Sequence, residues 1–281
     1  MGAIAKAAEA KNNIQKQPSI NTLMNSILDG EGMRKRFNDL LGERAPQFLS
    51  SIVSLVNADK NLQKAFYEAP MTVIQSALKA ATFDLPIEPS LGYAYIVPFN
   101  NYKDGVKRME ASFIIGYKGM VQLCLRTGAY SRVPDAVDVR QGELVRYDRL
   151  TGDAEFQWME DEDEREKLPV IGYAGYFRLK NGAEKTIYMT VKQIEAHEKK
   201  NRKGQSMGKG WRDDFDAMAR KTVIRRLCGK YGLMSITYQN GDIATQNLAQ
   251  AVMEEDTTGD EIVVVPETGE VIEDGQQAIP V

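Results

Sequence analysis

The fold is decided by residues Leu91 to Tyr130, LGYAYIVPFNNYKDGVKRMEASFIIGYKGMVQLCLRTGAY. Apolar side chains alternate with others on both sides of a polar turn at residues 100–105, which is the period of two that β-strands show. Two alternating runs joined by a short turn that contains Asp104 and Gly105 predict a β-hairpin. The basic residues near its tip are candidates for contact with an anionic partner: Lys103, Lys107 and Arg108.

The hairpin is followed by a change from strand to helix. Gly116 and Gly119 bracket this change, and helical spacing then runs from Lys118 to Arg126 and ends at Gly128. Backbone N–H groups at such a helix start can bind an anion, and Lys118 and Arg126 could flank one phosphate track. The glycines are equally explained by the geometry of a tight turn.

Helical patterns precede the hairpin. Apolar residues recur at helical spacing over residues 20–82, with Pro46 in a first helical turn and Pro70 dividing two helices. Asp59 or Asn61 is expected to cap one of these helices. The chain is therefore predicted to be an α+β protein in which a helical N-terminal part packs with an antiparallel hairpin and sheet.

Further strands follow the hairpin. They are predicted at Ala136–Arg140, Glu143–Tyr147, Glu155–Met159, Val170–Leu179 and Lys185–Met189. Asn181-Gly182 favours a hairpin turn between the last two. Residues Glu160–Glu166 include six acids in seven positions and are expected to form a solvated loop. Thr190 is expected to cap a helix that contains His197.

The charge of the chain is divided between a basic body and an acidic end. Residues Lys192–Lys230 hold twelve Lys/Arg against five Asp/Glu, and no Lys or Arg follows. Residues 1–230 sum to 36 − 29 = +7, and residues 231–281 carry ten acids, which sum to −10. A basic body indicates a polyanionic partner, most plausibly nucleic acid.

The segment from Trp211 to Tyr231 is predicted to be one long helix. Its apolar residues lie on one arc, and Lys221 and Arg225 form an i, i+4 pair outside this arc. A second such pair lies further round: Arg226 and Lys230. The helix could bury its apolar arc and offer guanidinium groups to phosphates. The alternative is a charged helix face that is simply solvated or paired with acidic neighbours.

The start of this helix is acidic. Asp213, Asp214 and Asp216 suit the positive end of the helix dipole, and they could alternatively supply ligands to a nuclease metal. Arg220 falls within the apolar arc and is expected to pair with Asp216.

The residues before the helix form a predicted flexible basic loop, Lys199–Gly210. Trp211 lies beside this loop and is the best candidate to stack on a base, although most aromatic residues near basic ones are expected to pack in the core. Lys209 and Arg212 flank it and are candidates for DNA contact.

Several other classes of function have little support. Cys124 and Cys228 lie on apolar helical faces and are expected to be reduced, buried thiols. A single histidine gives little basis for a catalytic dyad. No window of the chain is long and apolar enough to span a membrane, and the N-terminus lacks the apolar core of a signal peptide. The segment Gly204–Gly210 has the wrong spacing for a phosphate-binding loop and follows a helix. We expect no cofactor, no metal and no catalytic residue.

Three blocks of the sequence resemble the RecT family of phage recombinases, of the type found in phages of Gram-positive bacteria. They are LGYAYIVPF at 91–99, ASFIIGYKGMVQLCLRTGAY at 111–130 and WRDDFDAMARKTVIRRL at 211–227. The resemblance implies a protein that binds single-stranded DNA, anneals it with its complement without ATP, and assembles into rings or helical filaments. It also implies a partner exonuclease and a β–β–β–α core that includes the hairpin and the Lys118 helix. By matching positions, it implies these DNA-binding residues: Lys118, Arg126, Trp211, Arg212, Lys221, Arg225 and Arg226.

The expected organisation is a flexible arm at 1–19, one annealing domain at 20–240 and a flexible acidic tail at 241–281. The domain is expected to be helical at 20–82, rich in β-strands at 91–189 and basic and helical at 190–234. The tail could compete with DNA for the basic surface or could dock other proteins. A metal-dependent single-strand nuclease and an RNA-binding chaperone are the alternative functions. The cytoplasm of a bacterial host is the expected location, with the host single-strand binding protein as a possible further partner.

Overall fold

The structure is a computed structural model that describes residues 19–103, 105–202 and 205–234. The side chain of Lys103 is also outside the description. The expected flexible arm, apart from Ser19, and the whole of the expected acidic tail therefore lie outside the described residues.

Five helices form the N-terminal part of the described chain. They are α1 (Ile20–Leu28), α2 (Glu31–Leu41), α3 (Ala45–Ala58), α4 (Lys60–Glu68) and α5 (Pro70–Thr82). Asp59 caps α4 through bonds from the backbone N–H groups of Asn61 and Leu62. Pro46 lies in the first turn of α3, and Pro70 begins α5. The predicted positions of both prolines are confirmed, because each stands where a helical N–H would have no partner.

The predicted hairpin is confirmed and consists of strands β1 (Ala94–Lys103) and β2 (Val106–Ile115), paired from Ala94↔Ile115 to Lys103↔Val106. It packs on α4 and α5. Glu68 and Thr72 on these helices accept hydrogen bonds from the backbone N–H groups of Met109 (2.6 Å) and Ala111 (3.0 Å). Side chains of the helices thus satisfy donors along the open edge of β2.

Helix α6 (Tyr117–Arg126) follows β2 directly, as predicted. The glycines before and within it are required by close packing. A Cβ on Gly116 would lie 2.2 Å from the carbonyl oxygen of Gly92, and one on Gly119 would lie 2.1 Å from that of Tyr93. The helix start can approach the turn before β1 this closely only because both positions lack side chains.

A second sheet has three antiparallel strands in the order β3 (Tyr130–Arg140), β6 (Val170–Leu179) and β7 (Glu184–Thr190). Strands β4 (Leu144–Tyr147) and β5 (Ala154–Phe156) lie between β3 and β6 in the sequence and form a separate two-stranded sheet. The predicted bounds of β6 are confirmed. Strand β3 begins six residues before its predicted start, since register shifts between Tyr130 and Asp135 hide the period of two.

The α+β class is confirmed, but the strands are grouped differently from the expectation. The hairpin β1–β2 forms its own sheet and does not hydrogen-bond to β3–β6–β7. The three-stranded unit that is followed by a helix is therefore built from the later strands, and the hairpin with α6 lies beside it.

The acidic segment Glu160–Glu166 is exposed apart from Arg165, as expected, but most of it is helical, so the expectation of a loop is wrong. Asp161 caps a short helix, α7 (Glu162–Lys167). The segment contains one arginine, Arg165, whose guanidinium reaches the buried Glu143 at 2.6 Å. This ion pair anchors the acidic segment to the body of the protein.

The C-terminal described helices are α8 (Val191–Asn201), α9 (Lys209–Asp213) and α10 (Phe215–Tyr231). Thr190 caps α8 together with Gln193, as predicted. The single helix predicted from Trp211 is wrong, because the chain leaves helical geometry at Asp214 (φ −148°), whose carboxylate then caps α10. The predicted basic loop at Lys199–Gly210 is shorter than expected, since both of its ends are helical.

Helix α10 is partly exposed, but its buried residues are not confined to one arc. Buried residues occur on every side of its axis: Met218, Ala219, Thr222, Val223, Ile224, Leu227 and Cys228. It packs on the three-stranded sheet and on α6. Its basic side chains therefore leave the core in separate directions.

Candidate nucleic-acid interface

Two of the predicted DNA-binding side chains each lie near the base of the hairpin, where β1 starts and β2 ends. Arg225 on α10 donates from Nη1 to the carbonyl oxygen of Ile115, the last residue of β2, at 3.3 Å. Lys118 lies in the first turn of α6, is exposed, and its stem passes the turn at Gly92. Lys221 precedes Arg225 by one helical turn on the same side of α10. We call Lys118, Lys221 and Arg225 the hairpin-base cluster.

Tyrosine side chains accompany this cluster. Burial and the neighbouring Tyr117 raise the pKa of Tyr95 above its ordinary value, and the positive charge of Arg225 only partly opposes them. The Tyr95 hydroxyl is therefore protonated at neutral pH and can donate a hydrogen bond. Cationic groups and a hydroxyl donor at one place suit the oxygens of a phosphodiester.

The hairpin tip is distant from the hairpin-base cluster. Lys107 is eight residues from Ile115 along β2, which corresponds to about 26 Å in a strand. Lys107 and Arg108 are exposed, and the Lys107 ammonium lies 5.8 Å from the centre of the Tyr102 ring. The side chain of Lys103 lies outside the described residues. The tip is thus a separate basic surface.

Arg126, a predicted DNA-binding residue, is bonded within the protein in this structure. Its guanidinium donates to the carbonyl oxygens of Phe83 (2.8 Å) and Asp84 (2.7 Å) at the end of α5. Asp84 has a left-handed φ of 50°, which is unfavourable for a residue with a side chain. In this conformation Arg126 stabilises a strained turn.

Trp211 is 3% exposed and packs against Phe215, with 5.5 Å between ring centres. The expectation that it stacks on a base is contradicted, because a ring this buried has no free face for a base. Lys209 and Arg212 on the same short helix are exposed, and Arg212 lies 3.4 Å from Asp213. Arg226 points away from Arg225, with its Nη1 3.8 Å from the Met189 sulfur on β7.

A second group of charged side chains lies where α10 crosses the three-stranded sheet, and it is a closed ion network. Glu143 is 1% exposed and receives Arg165 at 2.6 Å, and Asp138 receives Arg165 and Arg140, both at 3.2 Å. Arg220 extends the network, with its Nη1 3.8 Å from Asp138. We call these five residues the ion network. Asp138 and Glu143 were predicted only to lie in strands, and no local sequence signal links them to Arg165.

The predicted pair of Arg220 with Asp216 is wrong. Asp216 accepts a hydrogen bond from the Tyr173 hydroxyl instead, and Arg220 turns to Asp138. The other helix-start acids also have local partners. Asp214 accepts from the backbone N–H of Ala217 at 2.9 Å, and Asp213 lies beside Arg212.

Burial would by itself raise the pKa of Asp138 and of Glu143. For Asp138, the nearby Arg165 charge, a backbone hydrogen bond and Arg140 reverse this effect, and the pKa lies below its ordinary value. For Glu143, hydrogen bonds from Arg165 and from the backbone of Arg140 lower the pKa in the same way. Both groups are therefore charged at neutral pH.

Three further findings concern chemistry and environment. Among the described residues, no three His, Cys, Asp or Glu side chains form a group that could hold a metal ion. Within the same ranges, no helix has the length and apolar character needed to cross a membrane. Cys124 and Cys228 are buried free thiols, as predicted.

The fold and the site define a class: an α+β protein with cationic side chains near the base of a β-hairpin. Comparison with known proteins gives the family. The RecT family profile matches residues 46–266, and the chain belongs to this family of phage recombination and DNA-annealing proteins.

Two curated relatives support the assignment. The chain is 42% identical over 263 residues to the uncharacterized protein YqaK of Bacillus subtilis (strain 168). The aligned region covers 92% of this chain and 82% of the relative. The chain is 31% identical over 169 residues to protein RecT of Escherichia coli (strain K12), which covers 60% of each. The resemblance predicted from the three sequence blocks is confirmed.

Proposed function

We propose that this protein binds single-stranded DNA and anneals complementary strands without ATP, as a homo-oligomeric ring or helical filament. The observation that supports the proposal is that Lys118 and Arg225, from two different helices, both lie near the hairpin base. Both residues lie in segments that resemble the family, and the profile match spans both of them. We infer that residues 20–240 act as one annealing domain.

The mechanism is one of binding energy rather than bond chemistry. Two complementary strands repel each other through their phosphates, and neutralisation by basic side chains lowers this barrier and raises their local concentration. The bases must remain accessible for pairing, so the protein holds the backbone and makes few contacts to base edges. Weak sequence preference and cooperative binding by adjacent subunits follow from this arrangement.

The proposed partners follow from the same function. An exonuclease exposes the single strand, and the host single-strand binding protein competes for it or hands it over. We expect the interactions with the exonuclease and with the host single-strand binding protein to occur in the cytoplasm of a bacterial host. The exonuclease and the annealing protein form a working pair, since one produces the substrate of the other.

The test is annealing of two fluorescently labelled complementary oligonucleotides by the full chain, without nucleotide triphosphate. We expect annealing to be accelerated over the protein-free rate and ATP to have no effect. If about six basic side chains of a subunit contact phosphate, the logarithm of single-strand affinity falls against the logarithm of salt concentration with a slope of roughly −4. Strict dependence on ATP, or cleavage of the strands in magnesium, would contradict the proposal.

A further inference from the structure

Two lysines and a tyrosine form a basic surface at the end of α10. The ammonium groups of Lys185 and Lys230 lie 5.1 Å and 5.2 Å from the centre of the Tyr231 ring. Two like charges at one ring repel each other. Within the described chain, no ion pair joins a carboxylate to either lysine. We call these three residues the Tyr231 surface, and an acidic partner would neutralise its charge.

The Tyr231 surface is held in place by the fold. Lys185 donates from Nζ to the carbonyl oxygen of Thr151 at 2.8 Å. Just after Tyr231, the Tyr130 hydroxyl donates to the carbonyl oxygen of Leu233 at 3.0 Å and accepts from its N–H at 2.6 Å. Tyr231 is nevertheless 38% exposed. A partner would therefore contact side chains that are ordered before binding, which lowers the entropy cost of the contact.

A surface of the opposite charge follows strand β5. Trp158 stacks on Phe156 with 4.9 Å between ring centres, yet Trp158 is 47% exposed and Met159 is 38% exposed. Glu160 and Asp163 are also exposed, and neither forms an ion pair with another residue of the described ranges. Aromatic and methionine side chains are enriched at protein interfaces. We call Trp158, Met159, Glu160 and Asp163 the Trp158 surface.

The two surfaces lie at different heights along α10. The Trp158 surface is attached to the ion network, since the backbone of Met159 bonds to Glu143. The ion network reaches Arg220 near the start of α10. Lys230 follows Arg220 by ten residues, which corresponds to about 15 Å along a helix.

The β4–β5 pair shows the same separation. Its turn contacts the Tyr231 surface, because Thr151 in this turn accepts the bond from Lys185. Trp158 follows the opposite end of the pair, four residues after Ala154, and four residues of a strand extend about 13 Å. One subunit therefore presents two surfaces of opposite charge in two different places.

We propose that the Trp158 surface of one subunit binds the Tyr231 surface of a second copy of this chain. The carboxylates of the first surface neutralise the ammonium groups of the second, and the indole ring offers its face to a cation. The proposal rests on the proposed function, which calls for an assembly of subunits. It adds to that function the surfaces through which the subunits join.

The charges also determine the symmetry of the contact. A symmetric dimer joined through either surface alone would place like charges against each other, which is unfavourable. A contact between two different surfaces leaves one of each unoccupied, so that its repetition produces a ring or a helical filament. Subunits on one DNA strand are at high effective concentration, and a small contact is then sufficient for cooperative binding.

The first test reverses the charges in the full-length chain. Glu160→Lys/Asp163→Lys changes the Trp158 surface, and Lys185→Glu/Lys230→Glu changes the Tyr231 surface. Self-association is measured by sedimentation velocity, with and without a long oligothymidine. We expect each double variant to associate about tenfold more weakly or worse, because like charges then face each other. The variant with all four substitutions should recover to within about threefold of the unmodified protein, since opposite charges face each other again.

The second test shows whether the contact is head to tail. Trp158→Ala/Glu160→Gln and Lys230→Gln/Tyr231→Ala each inactivate one surface and leave the other intact. Each variant alone should fail to assemble without DNA. Their mixture should form dimers and no larger species, because one intact pair of surfaces remains in each dimer. A symmetric interface would give no such recovery.

Matched controls separate the interface from net charge and from folding. Asp39→Lys/Glu43→Lys and Lys35→Glu/Arg36→Glu make the same charge changes at exposed positions of the N-terminal part. Each should change self-association by less than about twofold. Circular dichroism and the urea midpoint establish folding. If Lys185→Glu/Lys230→Glu is unfolded, Lys230→Glu alone replaces it, because Lys230 is exposed and the bond from Lys185 to Thr151 is kept.

Four results would overturn the contact. The variant with all four substitutions does not recover, or the unmodified chain is monomeric with and without DNA. Lys185→Glu/Lys230→Glu assembles normally but loses affinity for a short oligothymidine, in which case the Tyr231 surface binds DNA. Removal of residues 251–281 strengthens self-association, in which case the acidic C-terminal segment occupies the Tyr231 surface. A chain that assembles as expected but does not anneal would refute the proposed function and leave the contact standing.

Discussion

The ion network and the hairpin-base cluster both include basic residues of α10, Arg220 in the first and Lys221 and Arg225 in the second, and they use charge in opposite ways. In the ion network, Arg165 is closed by Glu143 and Asp138 at 2.6 Å and 3.2 Å. At the hairpin base, Lys118 is exposed, and Arg225 donates to a backbone carbonyl. Closed pairs contribute to the structure, whereas a cation that keeps donors toward solvent can bind a ligand. A basic side chain of such a helix can therefore be assigned to DNA only after its partners within the protein are known.

Removing Arg165 should produce the largest effect on stability. Arg165→Ala leaves the carboxylate of Glu143, which is 1% exposed, without its main partner. Loss of one member of a buried pair typically costs 3–5 kcal/mol, and we expect the free energy of unfolding to fall by about 3 kcal/mol or more in urea titrations.

Lys167→Ala is the matched control for this change. Lys167 pairs with Glu164 in the same helix, but both side chains are at least 60% exposed. We expect the control to lose less than about 1 kcal/mol. Equal losses in both variants would show that the ion network stabilises the fold no more than an exposed ion pair does. The ion network would then not differ from the hairpin-base cluster in its role.

Acid should weaken the ion network before it affects the hairpin base. The pKa values of Asp138 and Glu143 are lowered in the folded protein, so their contribution to stability is present above their unfolded values, 3.8 and 4.5. That contribution is lost as pH falls through the still lower folded values. Each unit of pKa depression corresponds to about 1.4 kcal/mol. Urea midpoints measured from pH 7 to pH 3 should be level at first and then decline.

The variant Asp138→Asn sharpens this test. It should be less stable at neutral pH, and its midpoint should decline less steeply in acid, because one titrating group has been removed. A decline as steep as that of the unmodified protein would assign the acid sensitivity to other carboxylates.

The next prediction concerns Arg126, which was predicted from the sequence to bind DNA but is bonded to backbone carbonyl groups in the structure. Arg126→Ala leaves the carbonyl groups of Phe83 and Asp84 without their donors. We expect a loss of about 2 kcal/mol in unfolding free energy. Single-strand affinity of the folded variant should change less than twofold. A large loss of affinity with normal stability would return Arg126 to the DNA-binding residues.

Local patterns predicted most of the elements. The hairpin, α6, the two prolines and the bounds of β6 were all predicted, because period, turn residues and caps are local properties. The break at Asp214 was missed, since its cause is a side-chain cap inside a run of helix-forming residues. The helix Glu162–Lys167 was missed because Arg165 has its partners far along the chain.

The candidate site was less predictable than the fold. Helical spacing grouped Lys221 with Arg225, but no sequence signal distinguished exposed Lys118 from Arg126, which is bound to carbonyls. Trp211 was assigned to stacking from its basic neighbours, yet its burial depends on contacts such as that with Phe215. Lys185 was not singled out, because only the tertiary fold brings it to Tyr231. Contacts between residues that are distant in the sequence decide which basic side chains remain available to bind DNA. A single sequence does not show these contacts.

At the hairpin base, the change is expected in affinity rather than in stability. Lys118→Ala should weaken single-strand binding by about tenfold, which corresponds to about 1.4 kcal/mol for one charge-assisted contact, and should reduce the salt slope by roughly 0.7. The urea midpoint should be unchanged, since Lys118 is exposed. Lys35→Ala, at an exposed lysine on α2, is the control and should leave affinity unchanged. Normal affinity in Lys118→Ala would exclude this residue from the interface.

The smallest effect is expected at the hairpin tip, which tests how far the interface extends. Lys107→Gln/Arg108→Gln removes two exposed charges about 23 to 26 Å from the end of β2. Because screening at 0.15 M salt acts over about 8 Å, these charges influence DNA at the hairpin base only if the strand itself runs to the tip. We expect affinity to fall by less than threefold at 0.15 M salt, measured by fluorescence anisotropy on a long oligothymidine. A loss equal to that of Lys118→Ala would mean that the strand follows the whole hairpin, and the boundary of the hairpin-base cluster would then move to its tip.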